Sequence, residues 1–193
     1  MSGQELIEGL LAEIGKIEHF TETQIAPLPV DKLLQRPSPK RWSILECLEH
    51  MNLSSGHYIK RLEKLIPELE KVAPTQEDYE FKPGFFGEKF STGILPKKDG
   101  TLSNSMKTFF FFEPKLAKTK KHRSLEEFIT MNQTTVELLE RAKKIDLNKG
   151  KVTSTLGPIF RFKTGDAFRF AIGHNVRHMV QIERVLHEIQ PSD

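Results

Sequence analysis

Apolar residues recur at spacings of three and four along four stretches of this chain. In the first, Leu6, Ile7, Leu10, Leu11, Ile14, Ile17 and Phe20 share one helical face. The pattern predicts an amphipathic helix from residue 4 to about residue 26, where Pro27 and Pro29 end it. The second begins at Trp42-Ser43-Ile44-Leu45-Glu46. There Ser43 can accept from the Glu46 amide while the Glu46 side chain reaches back, a capping box. Its stripe is Ile44, Leu48, Met51, Tyr58, Leu62, Leu65 and Leu69, with Ser55 in the gap and Pro67 as a stop or kink. Ser124-Leu125-Glu126-Glu127 repeats the capping signature ahead of Phe128, Met131, Thr135, Leu138, Leu139 and Ala142, a helix ending near Lys144. The fourth carries Phe168, Ile172, Met179, Ile182 and Leu186, with Asp166 as its expected N-cap and Gln190 near its end.

Between these stretches the pattern fails twice. Residues 74–123 are broken by prolines and glycines, yet they hold eight of the fourteen phenylalanines, Phe109 to Phe112 among them. Disordered chains are poor in aromatics, so this is expected to be an ordered excursion with one or two short helices. Residues 145–163 form a second connection, in which Val152 to Thr155 reads as a short extended piece. Four long amphipathic helices with little strand signal predict an all-α protein, a four-helix bundle in a single domain spanning 1–193.

Composition changes this picture little. At 193 residues the chain can bury a core without staples. A net charge of +3 does not make the dense basic face of a nucleic-acid binder. The single cysteine, Cys47, allows no internal disulfide and fits a reducing compartment. The start of the chain lacks a signal-peptide pattern, and no apolar run approaches the roughly 20 residues of a membrane span. A cytoplasmic location is expected. Phe109 to Phe112 beside Lys115, Lys118, Lys120, Lys121 and Arg123 are read as core or dimer interface with a solvated edge, in preference to a membrane-facing surface.

The candidate chemistry lies in the histidines. His174 and His178 stand four apart on the last helix, one turn apart on one face, flanking its apolar stripe. Two imidazoles so placed can share a metal ion, and a bundle supplies further ligands from a facing helix. His50 lies on the matching flank of the second helix, and His57, seven residues on, is almost in line with it. Two turns separate those two by about 10.5 Å along the axis, so only one can join the pair. Spacing does not choose between them. His19, His122 and His187 read as surface residues, Cys47 as a small buried one, Glu46 as a cap, and Gln181 as either a ligand-orienting group or a polar helix edge.

Trp42 to His50, and His174-Asn175-Val176-Arg177-His178-Met179-Val180-Gln181, resemble the second-helix and last-helix motifs of the DinB-like superfamily, in that family's order and at its usual distance. The resemblance covers residues 4 to 190. It implies an up-down-down-up bundle holding a divalent metal through His50, His174 and His178, and so favours His50 over His57. It also implies a metal-dependent hydrolase or a thiol S-transferase acting on a small molecule, in the second case with a low-molecular-weight thiol. Homodimers are common among such proteins, and the family name implies no DNA binding. Three imidazoles suit zinc first, and nickel or iron as well. An open position on such an ion lowers the pKa of a bound water toward about 7 or activates a thiolate. The alternative is a non-catalytic metal-binding or partner-binding bundle. No catalytic residue beyond the ligands is assigned, and the 74–123 insertion sets this chain apart from the simplest relatives.

Overall fold

The computed structural model describes residues 1–72, 79–97, 99–102, 112–114 and 123–190. Four long helices form where the stripes predict them: α1 (Gly3–Phe20), α3 (Ile44–Glu70), α5 (Ser124–Ala142) and α6 (Thr164–Ile189). Two short ones, α2 (Val30–Leu34) and α4 (Phe85–Ile94), sit in the connections. A hairpin of β1 (Val152–Ser154) and β2 (Gly157–Phe162) precedes α6. Each long helix packs on two others in the cyclic order α1, α6, α3, α5, while α4 lies on α6 and touches β2.

Local chemistry explains most of the boundaries. Ser43 caps α3 as the sequence predicts, with both halves of the capping box to Glu46 in place. Arg36 adds an ion pair to the same carboxylate, which locks the approach to α3. Ser2 and Glu5 do the same for α1. That helix ends in a π-helical turn, Thr21–Ile25, where the Ala26 N–H donates to the Thr21 carbonyl at 2.8 Å. Pro67 does not end α3: it lies inside the helix, which runs on to Glu70.

Three sequence-based expectations are corrected. Ser124 does not cap α5; it falls inside the first turn, and the Glu127 N–H donates to the Arg123 carbonyl. Asp166 is not the N-cap of α6, which starts at Thr164; it is buried in the first turn and its Oδ2 accepts from the Gly84 N–H at 2.8 Å. That bond sets the start of α4 against α6. The approach is close enough that a Cβ on Gly87 would stand 2.1 Å from the Asp166 Cγ, which is why glycine occupies the position. The extended piece at Val152 is present, but its partner strand β2 was not expected. The excursion after α3 does contain a short helix, α4. Phe109 to Phe111, His122 and Lys115 to Lys121 lie outside the described residues.

The core divides into two. One apolar cluster takes Tyr58, Ile59, Leu62 and Ile66 from α3 and Phe168, Ala171 and Ile172 from α6. The other takes Ile44, Leu45, Cys47, Leu48 and Met51 from α3 and Met179, Ile182 and Val185 from α6. Between them runs a buried polar layer of Ser54 and Ser55 on α3, Asn132 and Thr135 on α5, and His174, Asn175 and His178 on α6. Ser55 stitches α3 to α6 by donating to the Asn175 Oδ1 at 2.6 Å.

Candidate metal centre

His174 and His178 come to the polar layer because they share a face of α6 one turn apart. His50 comes from the facing turn of α3. The structure brings these three together: one ring nitrogen from each lies within 4.8 Å of the others. The His174 Nε2 stands 3.1 Å from the His50 Nε2 and 3.2 Å from the His178 Nε2. Three nitrogens bound to one tetrahedral ion at 2.0–2.1 Å would stand about 3.3 Å apart, so the spacing fits a shared ion.

The outward nitrogens fix the tautomers. The His50 Nδ1–H donates to the Phe112 carbonyl at 2.7 Å, and a carbonyl can only accept. The His178 Nδ1–H donates to the Gln181 Oε1 at 2.9 Å. The Ser54 hydroxyl donates to the His50 carbonyl at 2.7 Å, so it accepts from the His174 Nδ1–H at 3.3 Å. With each proton held at Nδ1, each neutral ring turns an Nε2 lone pair toward the other two. Three converging lone pairs repel unless a cation lies between them. Outward hydrogen bonds of this kind are how proteins orient imidazole ligands.

Electrostatics favour the ligating form. Burial pushes the His50 pKa down. Burial also holds the His178 pKa down at about 3, with the charge on His50 and then Arg177 adding to the shift. His174 is lowered well below the ordinary range, first by burial and then by His178, His50 and Arg177. All three rings are therefore neutral at pH 7. Aromatic rings wall the group: Trp42 lies 5.0 Å from His50 and 6.3 Å from His178, and Phe170 stacks on His174 at 6.3 Å.

His57 does not join them. Its Nε2–H donates to the Thr153 carbonyl at 2.9 Å and anchors the hairpin. His19 and His187 are exposed, as read from the sequence. Cys47 is fully buried, and burial raises its thiol pKa far above the thiolate range. Gln181 accepts from the His178 Nδ1–H, so it is not merely a polar helix edge. Sequence reasoning missed Ser54 and Phe112. Ser54 carried a signal, a small polar residue one turn from His50 on the same flank of the apolar stripe; Phe112 acts through its backbone and carried none.

Among the described residues no helix is long and apolar enough to cross a membrane. No curated protein and no solved structure matches the chain. The profile of the DinB superfamily matches residues 18–182, which takes in all of α3 and α5, the hairpin, most of α6 and all three converging histidines. The chain belongs to the DinB superfamily.

Proposed function

We propose that this protein is a metal-dependent enzyme whose divalent ion is held by His50, His174 and His178, on an up-down-down-up four-helix bundle. The observation that carries the reading is the convergence of three Nε2 lone pairs, each with its Nδ1 proton held by an outward acceptor. The cyclic packing of the four long helices supports the bundle. Bound there, zinc, or nickel or iron in its place, supplies Lewis acidity toward a water or a thiol.

The chain's own residues prepare that chemistry. Ser54, Gln181 and the Phe112 carbonyl keep the protons on the outward nitrogens. Trp42 and Phe170 shield the rings from bulk water. Neutral imidazoles leave the ion's charge unquenched, and Arg177 adds positive potential beside His174 and His178. Such a centre would suit hydrolysis of an ester or amide, or a thiol S-transferase reaction that uses a low-molecular-weight thiol.

Metal analysis of the purified protein and of His178→Ala tests the ligand set. About one equivalent in the wild type and none in the variant is expected. Equal content in both would remove the triad. Screens against esters, amides and thiol acceptors with each metal then separate hydrolase from transferase. Silence with every metal, in a protein that binds one, would favour a non-catalytic bundle.

A further inference from the structure

Two of the three Nδ1 acceptors, Ser54 and Gln181, belong to the helices that carry the histidines. The third does not. The Phe112 carbonyl lies 62 positions beyond His50, in the connection between α4 and α5. Its reach to His50 therefore depends on what seats this part of the connection.

The seat is His57. The Phe112 ring meets the His57 ring edge-on, with centroids 6.0 Å apart and planes at 83°. Edge-to-face contact is the favoured arrangement for such rings. His57 is itself held by its hydrogen bond to Thr153 in β1. Tyr58, the next residue, fastens the same hairpin through the Ser154 hydroxyl at 2.9 Å and the Thr155 hydroxyl at 3.0 Å. His50 and His57 lie almost in line along α3, about two turns and so about 10.5 Å apart. One residue bridges them, with its ring on the second histidine and its carbonyl on the first.

We infer that Phe112 is a positioning residue of the metal centre, seated on His57, and that through its carbonyl the connection between α4 and α5 completes that centre. The inference rests on the metal reading above. Without an acceptor at Nδ1, the His50 proton is free to move to Nε2, and a protonated Nε2 cannot bind a metal. His57 thereby acts on the site without touching the ion. Its ring positions Phe112.

The test uses the full chain and two readouts. Zinc and cobalt affinities are measured by chelator competition for the wild type, Phe112→Ala, His57→Ala and the control Phe85→Ala, an exposed aromatic of α4. The tautomer of His50 is read by ¹⁵N NMR in the metal-free protein. The expected result is a loss of about 10–100-fold in affinity for Phe112→Ala, the range typical of partners that orient metal ligands. A smaller loss is expected for His57→Ala and none for Phe85→Ala. His50 should pass from a pure Nδ1–H form to a mixture in both of the first two variants. Unchanged affinity with an unchanged tautomer would overturn the inference, even if the melting temperature fell. A wild type that binds no metal would defeat the metal reading, and the tautomer spectrum alone would then decide this one. Should Phe112→Ala not fold, Phe112→Leu keeps the bulk and loses the ring edge, and the same two readouts apply.

Discussion

Two turns of α3 carry a histidine toward the same side of the helix, and they do opposite things. At His50 the outward nitrogen holds the proton, and the inner one turns its lone pair toward α6. At His57 the Nε2 itself is spent on the Thr153 carbonyl, and the ring serves as an anchor for the hairpin. Both rings are shifted toward neutrality, with burial the largest cause in each case. Charge state therefore does not separate them. What separates a ligand from a strut is which nitrogen the surrounding chain has already engaged.

That contrast can be broken by substitution. The largest effect is expected for His174→Ala, which removes the ring that both His50 and His178 approach; isothermal titration with zinc should show no stoichiometric binding. A pH series on the metal-free protein should come next. His178 titrates at about 3 in the fold against an ordinary 6.5, and His50 and His174 are lowered as well. Between those values the unfolded chain binds more protons than the folded one. Stability is thus fully present above about pH 6.5 and is lost as the pH falls toward 3, by about 1.4 kcal/mol per pH unit for His178, with His50 and His174 acting in the same direction. Urea unfolding at pH 7.5, 6 and 5 measures it, and His178→Leu should flatten the slope. A slope that His178→Leu leaves intact would mean that another group is responsible.

Smaller again is Gln181→Ala, expected to weaken metal affinity about 10–100-fold, or about 1.4–2.7 kcal/mol. Gln181→Glu keeps an acceptor at that place and should bind at least as well as the wild type. Equal affinity for all three proteins would deny Gln181 its orienting role. The smallest effect belongs to His187→Ala, an exposed ring on the same helix. It should change stability by no more than about 0.5 kcal/mol and leave metal binding untouched.

Much of this was legible in the residues. The stripes placed α1, α3, α5 and α6 to within a few positions, and the pairing of Ser43 with Glu46 fixed the start of α3. The i, i+4 pair named two of the converging rings. Periodicity could not choose His50 over His57, because the choice depends on where a hairpin and a distant carbonyl fall. The family resemblance made that choice, and the structure brings together the three rings it implied. β2 escaped notice because Gly157 and Pro158 read as breakers, yet they sit at its first positions, where a strand interior is not interrupted. Asp166 looked like a cap because aspartate is a good one. Here its side chain is taken by the amide of Gly84, a tertiary bond that no local rule foresees.

Cys47 deserves a use of its own. Its sulfur has no exposure, sits among the apolar residues that close one end of the α3–α6 pair, and is the chain's single thiol. A disulfide reagent can reach it only when that end comes apart, so the rate of labelling acts as a clock on transient opening. The sulfur is not one of the converging groups, so the rate reports the opening itself, and any ligand that tightens α3 against α6 will be read as a slowing of its hand.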